Sequence, residues 1–490
     1  MGVQPNATSH KSEATQWKEI DFEKAKRTVK KLQERIVQAT KKGKWRKVKN
    51  LQRLLVHSRS AKIIAIQRVS SSKGSKTPGV DGVLWKSNAD KIRALKGLVH
   101  RKYKAQALRR VYIAKRGGGR RMLGIPTMKD RAMQALYLQS LDPISETTAD
   151  GFSYGFRRMR SCWDAREHIH QIFAKKRSAQ WVLDADIEKC FDQLSHTWLL
   201  NHIPLPKRIL KQWLKCGVME GAERHSTRNG TPQGGVISPV LANMALDGLI
   251  EELDQKYVYK RKDGSRHTNR YKINAVRYAD DFIISGHSKE FLEETILPSV
   301  KQFLASRGLK LSAKKTRIVH ISEGFNFLGY TIRKFKDKLI IKPSKESIKG
   351  FKTKAKKIFR LCRGLKCKVL VDRLNALING WGRYFRTAVS KRVFSSLDSW
   401  LFCKVLYWGR RRQNKWGLRR IYDEYIKRIN GRLRACPDGY VIYSLANIPI
   451  RRHPKTPIYL NPYDPTHYAR LSFLLYRRKK LRFPNSLMAG

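Results

Sequence analysis

Two short apolar segments, Ala275–Tyr278 and Phe282–Ser285, have the composition of β-strands and are separated by only Ala279, Asp280 and Asp281. In a regular strand neighbouring side chains point to opposite faces, so paired carboxylates inside one would be parted. A tight hairpin turn lets both project from its tip. The pattern therefore predicts a hairpin with two acids at its end, which is a metal-binding device. The stretch Leu183-Asp184-Ala185-Asp186-Ile187-Glu188-Lys189-Cys190-Phe191-Asp192 supplies a second acidic cluster, with Asp184 and Asp186 on one face of a strand predicted over Trp181–Ile187. Where two such strands meet, three carboxylates converge. Hard oxygen donors around an octahedral cation point to Mg²⁺. Two such ions ~3.5–4 Å apart activate an attacking hydroxyl and stabilise the leaving oxygen of an in-line phosphoryl displacement, which is polymerase chemistry.

Elsewhere the chain is poor in acid, and this makes the two clusters stand out. Its 490 residues carry 104 Lys and Arg against 38 Asp and Glu, a formal charge of +66. A compact protein with that field repels itself unless a polyanion neutralises it, so DNA, RNA or an anionic membrane is the expected partner class. With 41% hydrophobic and 10% aromatic residues the chain is apolar enough to bury ordinary cores. Its length predicts about three domains. No apolar run approaches the ~18 residues of a spanning helix, so a membrane is disfavoured. Residues 1–20 lack the hydrophobic segment of a secretion signal, and Asn6 stands where a myristoylation signal wants Ser or Thr. The seven cysteines are scattered with no Cys-x-x-Cys pair, the usage of a reducing compartment, and no structural zinc is expected. Cytoplasm or nucleoid is the expected location, with an organelle matrix left open.

Phe22, Ala25, Val29, Leu32, Ile36 and Ala39 recur at three-and-four spacing, and Trp45, Val48, Leu51 and Leu55 do so after the Lys41-Lys42-Gly43-Lys44 break. Residues 1–67 thus read as a basic helical hairpin, whose charged face is either solvated or in contact with nucleic acid. Ser70–Gly79 is a loop by composition. Further strands are predicted over Arg110–Ile113 and Phe325–Ile332, and strands alternating with longer helical patterns give an α+β domain to about residue 330. From residue 331 onward the net charge is +32, with aromatics interleaved most densely between Trp400 and Trp416. Such a mixture suits single strands and irregular RNA, or a helical core with a charged rim.

Around the paired acids the motifs fall in a distinctive order. Thr77-Pro78-Gly79-Val80-Asp81-Gly82 comes first, then Val111–Lys115 running through Arg121–Thr127, then Ser153-Tyr154-Gly155-Phe156-Arg157 and the Asp184–Asp192 cluster. Gly230-Thr231-Pro232-Gln233-Gly234-Gly235 to Pro239, Tyr278-Ala279-Asp280-Asp281, Gly308–Leu311 with Lys315-Thr316, and Phe327-Leu328-Gly329-Tyr330 follow. The last is Gly380-Trp381-Gly382-Arg383-Tyr384-Phe385-Arg386. From residue 70 to near its end the chain resembles the group II intron-encoded reverse transcriptase/maturase family.

That resemblance implies a right-hand polymerase of α+β class. It would have a basic N-terminal extension (1–67), fingers and a ferredoxin-like palm (68–330), a helical thumb or maturase region (331–425) and a basic C-terminal DNA-binding segment (426–490). It implies that Asp186, Asp280 and Asp281 hold two Mg²⁺ ions and that Phe191, five residues after Asp186, crowds a ribose 2′-OH. Asp184 and Asp192 are left as structural groups. Lys115 and Arg121, with Arg109 third, would grip the triphosphate of a dNTP, Gln233 and Gly234 would support nucleotide and template, and Lys315 would protonate departing pyrophosphate. Ala114 stands where the family often has Pro, and Lys314 where it often has an acid. Lys41, Lys42, Lys44, Arg46, Arg383, Arg410, Arg411, Arg412 and Lys415 are the expected nucleic-acid contacts. The expected partners are the intron RNA, an RNA template with a DNA primer, and target DNA. No HNH nuclease is expected after Ile448–Lys480, and so no second-strand nicking. Two other readings stay open, a splicing maturase with an idle polymerase and a reverse transcriptase outside introns.

Overall fold

The computed structural model describes residues 13–101, 103–114, 118–260 and 266–480. Helices α1 (Phe22–Lys41) and α2 (Trp45–His57) are the expected amphipathic pair, with Asp21 capping the first through Lys24 N at 2.8 Å. A third helix, α3 (Arg59–Ser70), follows directly, so the expected two-helix hairpin is a three-helix unit. Ala61, Ile63, Ala65, Ile66 and Val69 are buried around α3 and set up no one-sided period, which is why the sequence conceals it. All three helices pack on α4 (Met128–Thr148), which is buried from Asp130 to Glu146 and forms the spine of this half of the molecule. Side-chain amides fix the packing: Gln33 donates to Gln139 O (2.8 Å) and Gln139 donates to Ala61 O (2.9 Å). Arg131, on α4, donates to the carbonyls of Gly74, Thr77 and Pro126 and so secures the loop before residue 80.

Strands β1 (Leu108–Ala114) and β2 (Arg120–Ile125) form an antiparallel ribbon. After α5 (Cys162–Phe173) come β3 (Trp181–Asp186), α6 (Ser238–Leu246), β4 (Asn274–Tyr278), β5 (Asp281–Gly286), α7 (Leu297–Ala305) and β6 (Arg317–His320). The four strands of this sheet lie in the order β6-β3-β5-β4, all antiparallel. In terms of the unit's own strands this is fourth-first-third-second, with helices in both crossovers, which is the ferredoxin-like arrangement. Period-two alternation sends the two faces of the sheet into different cores. Leu183, Ala185, Phe282 and Ile284 join α4, α6 and α7, whereas Val182, Val276, Ile283 and Val319 join the C-terminal half.

The strand expected over Phe325–Ile332 is two strands, β7 (Phe325–Phe327) and β8 (Tyr330–Phe335), followed by β9 (Lys338–Pro343). Leu328 and Gly329 take φ of +50° and +78°, and this left-handed pair folds the apolar run into a tight hairpin. Helices α8 (Lys345–Leu361), α9 (Cys367–Phe385), α10 (Lys391–Arg412) and α11 (Leu418–Tyr425) build the second core. Trp381 packs against it on Phe351, Phe385 and Phe394, and Tyr384 donates to Leu328 O (2.8 Å). The Gly380–Arg386 and Phe327–Tyr330 motifs therefore meet in space.

Beyond α11 the chain makes a small hairpin, β10 (Ile426–Ile429) and β11 (Arg432–Ala435), and then returns across the molecule as a strap. Thr456 N donates to Asp164 (2.6 Å), Arg160 donates to Ile458 O (2.8 Å), Tyr463 donates to Asp142, and Lys41 pairs with Asp464. The final helix, α12 (Tyr468–Lys480), reaches α1, where Tyr468 donates to Glu34 (2.6 Å). Among the described residues no helix is long and apolar enough to cross a membrane.

Candidate functional site

Tyr278 and Asp281 are paired across β4 and β5, leaving Ala279 and Asp280 as the turn, with Ala279 at φ +60°. The hairpin expected from the sequence is therefore present, and Asp280 sits at its tip. The β3–β5 ladder pairs Asp186 directly with Asp281, so the third carboxylate joins from the neighbouring strand. Asp184 is one strand period back, and its carboxylate receives Arg317 at 3.2 Å. It has the ion-paired structural place expected for it.

Lys315 arrives by a backbone path that can be followed residue by residue. Leu311 bridges Ile187, Glu188 N donates to Lys310 O (2.9 Å), and Ser312 N donates to Asp186 O (2.8 Å). The chain turns through Ser312–Thr316 and enters β6, where Arg317 is paired with Asp184. This short excursion puts Lys315 Nζ 2.9 Å from Asp186. This bond, with the charges of Asp186, Asp281 and Asp280, raises the Lys315 pKa against the opposing effect of burial. Burial raises Asp280, and burial together with the charges of Asp280 and Asp186 pushes Asp281 up to about 7. Three carboxylates that repel one another call for a cation.

The donor set fits a hard divalent ion: carboxylate oxygens from two adjacent strands, with protonation favoured until positive charge relieves the repulsion. Among the described residues no three His, Cys, Asp or Glu side chains are already drawn around one point, and the Lys315 ammonium lies where such charge is wanted.

A buried network holds the turn from beneath. Arg277, 1% exposed, donates to Asp247 and lies 3.4 Å from Asn243 Oδ1 and 3.5 Å from Ala279 O, while Asn243 donates to Gly155 O (2.8 Å). Tyr154 N donates to Arg277 O (2.9 Å) and Arg277 N donates to Phe152 O (3.1 Å), so the Ser153–Arg157 motif is laid against the acidic hairpin. A Cβ on Gly155 would stand 2.3 Å from Ala279 N, so only glycine lets the two backbones approach. Sequence reasoning missed Arg277, Asn243 and Asp247. The one available signal was an arginine inside an otherwise apolar strand.

Phe191, Gln233 and β2 share a groove of about 300 Å³, which Asp192, Met122 and Gly124 also line. Gln233 donates to both oxygens of Asp192 (3.2 Å each), and Thr231 N donates to Phe191 O (2.7 Å). Gly234, at φ +132°, packs so closely on Gly124 that a Cβ would meet its carbonyl at 2.7 Å. Phe191 is half-buried and meets Phe156 edge-on at 6.3 Å. Arg121 lies opposite Ile113 in the β1–β2 ribbon, and its charge acts on Asp280. Arg109 is at the other end of that ribbon, half-buried opposite Ile125. The structure therefore brings Arg121 toward the acids and leaves Arg109 at the ribbon's base. Lys115 lies outside the described residues.

The expected nucleic-acid contacts divide. Lys42, Lys44 and Arg46 are exposed, as are Arg410, Arg411 and Lys415. Lys41 is instead taken by Asp464, and Arg412 donates to the Leu365 carbonyl, closing the turn after α8. These two make contacts within the fold. On α10 the aromatic-basic block separates by face. Trp408 is buried, whereas Trp400, Lys404, Tyr407 and Arg411 form an outward stripe with Lys404 5.1 Å and Arg411 4.5 Å from the Tyr407 ring centre. Arg383 lines a basic cleft beside the strap.

Three family descriptions match successive parts of the chain: "N-terminal domain of reverse transcriptase" over residues 17–98, "Reverse transcriptase (RNA-dependent DNA polymerase)" over 113–332, and "Group II intron, maturase-specific domain" over 348–426. The group II intron-encoded protein LtrA of Lactococcus lactis subsp. cremoris is 31% identical, the match covering 55% of this chain and 54% of that protein. Protein YkfC of Escherichia coli K12 is 33% identical, over 54% of this chain and 77% of that protein. The chain thus spans about half the length of LtrA and most of YkfC. A solved structure of telomerase from Candida albicans in complex with the TWJ fragment of telomeric RNA aligns at 14% identity over 64% of this chain and 59% of that one. Its TM-score of 0.36 is too low to bear on the fold.

Proposed function

The chain belongs to the group II intron reverse transcriptase/maturase family, and from that premise we propose that it is an RNA-directed DNA polymerase that also binds its parent intron RNA as a splicing maturase and supports the intron's mobility by target-primed reverse transcription. The observation that carries the polymerase reading is the β3–β5 ladder, which pairs Asp186 with Asp281 beside the Asp280 turn. Asp186, Asp280 and Asp281 hold two Mg²⁺ ions. When bound, these lower the pKa of a primer 3′-hydroxyl and neutralise charge on the transferring phosphoryl group. The protein's own groups do the rest. Lys115 and Arg121 hold the triphosphate, Gln233 and the Gly234 backbone seat nucleotide and template, and Phe191 leaves no room for a 2′-OH. The 3′-oxygen bonds to the α-phosphorus as the bond to pyrophosphate breaks, and Lys315, kept protonated, supplies the proton that the leaving oxygen takes.

The maturase reading is supported by the match of residues 348–426 and by the outward Trp400–Arg411 stripe. Primer extension with purified protein tests the polymerase. Mg²⁺-dependent, RNA-templated synthesis abolished by Asp280→Ala, with RNA binding retained, is the expected result. RNA binding without synthesis on any template would instead make the chain a maturase with an idle polymerase.

A further inference from the structure

Asp192 follows Phe191 on the short helix Cys190–Gln193 and is exposed in the groove that Phe191 and Gln233 share. The sequence leaves it as a structural group beside Asp184, but the two carboxylates have different partners. Asp184 pairs with a cation, Arg317, whereas both oxygens of Asp192 receive the neutral amide of Gln233. An ionised carboxylate only accepts hydrogen bonds, so Gln233 must turn Nε2 toward it. That choice leaves Oε1 as the acceptor that Gln233 offers to a ligand.

The main chain around Gln233 is anchored on two sides. Gly124 N, on β2, donates to Gln233 O (2.9 Å), so the backbone of Gln233 belongs with the β1–β2 ribbon. Two positions earlier the same loop is clamped to the palm: Thr231 N donates to Phe191 O and Gly230 N to Leu194 O, each at 2.7 Å. A Cβ on Gly230 would stand 2.7 Å from the carbonyl oxygens of both Phe191 and Asp192, and buried His196 places Nε2 2.8 Å from Gly230 O. The side chain of Gln233 has three rotatable bonds of its own, and the Asp192 contact is what fixes their end. An amide ordered before the substrate arrives loses less freedom on binding. A carboxylate so near the place assigned to a triphosphate otherwise opposes binding, because like charges repel.

We infer that Asp192 is a positioning residue of the polymerase, holding the Gln233 amide in one sense, with Nε2 toward Asp192 and Oε1 toward the incoming nucleotide. The inference deepens the seat assigned to Gln233 above and rests on it.

The test is single-nucleotide primer extension by the full chain, comparing wild type with Asp192→Asn, Gln233→Leu and the double variant. Asn keeps the size of Asp192, and its own amide can meet either end of Gln233, so the single sense is lost. KM for dNTP should rise roughly 3–10-fold, as for one misdirected hydrogen bond, with kcat within about 2-fold of wild type. Charge alone predicts the opposite sign, since deleting an anion beside the triphosphate lowers KM. In the Gln233→Leu background, Asp192→Asn should no longer raise KM. An unchanged or lowered KM in Asp192→Asn alone overturns the inference, as does a fall in kcat at unchanged KM or a pair of rises that multiply in the double variant. If Gln233→Leu itself keeps the wild-type KM, the seat assigned to Gln233 is wrong and this inference falls with it, while the polymerase stands. A wild-type chain that extends no primer overturns the polymerase reading and everything built on it.

Discussion

Gly155→Ala is the most direct test of how the acidic turn is held. The added methyl would stand 2.3 Å from Ala279 N and 2.9 Å from Tyr278 C, both backbone atoms, so no side-chain rotation relieves the clash. Restoring an ordinary contact requires a relative shift of about 1 Å between the Gly155 backbone and the acidic turn, beyond the few tenths that a packed interior absorbs. The turn is the lighter partner, and it carries Asp280 and Asp281. Misplacement by about 1 Å costs on the order of 10²-fold in rate, while overpacking costs about 1–3 kcal/mol of stability. The expected result is therefore a kcat lowered about 100-fold in primer extension, with the protein still folded and RNA affinity unchanged. Gly151→Ala is the internal control, because a Cβ there meets Ile458 at 3.5 Å or more, an ordinary contact. If Gly155→Ala polymerises within 3-fold of wild type, close approach of this glycine is not what positions the acids.

Phe191→Ala should raise ribonucleotide incorporation in single-nucleotide competition assays; unchanged sugar discrimination would mean that Phe191 is not the gate. Replacing Lys404 and Arg411 together by Gln should weaken RNA binding and flatten its salt dependence by about 1.4, whereas extension of a short primer-template should slow less. Asp281 titrates near 7 in the folded chain against about 4 unfolded, so its contribution to stability is complete below about pH 4 and is lost as pH rises through 7. Metal-free protein should lose more thermal stability between pH 5 and 8 than Asp281→Asn does. Mg²⁺ should recover that loss at pH 8 and do little at pH 5, and a recovery independent of pH would refute the assignment.

The acidic hairpin, Asp186 and the paired place of Asp184 could be anticipated because they rest on local rules: two apolar runs, a short turn and period-two alternation. Helix α3 could not, because its buried residues surround it. The division of Phe325–Ile332 was hidden because both halves are apolar, and only the φ of Leu328 and Gly329 marks the turn. Arg277 and Asp247 lie 30 positions apart, and their union is a tertiary fact, as is the capture of Lys41 by Asp464. Charge composition predicts that a chain binds polyanions. It does not say which lysines have been spent on the protein itself.

That last pairing sets a timetable. Asp464 and Lys41 are separated by 423 residues, so α1 leaves the ribosome long before its partner exists. At about 5–20 residues per second the wait is roughly 20–85 s. The surfaces around Glu34, Asp142 and Asp164 are likewise made before the strap and the final helix that cover them. The strap thus arrives after the palm, whose last strand ends at His320, and the palm has to stand for roughly 7–29 s on the contacts available before Asp464 is made.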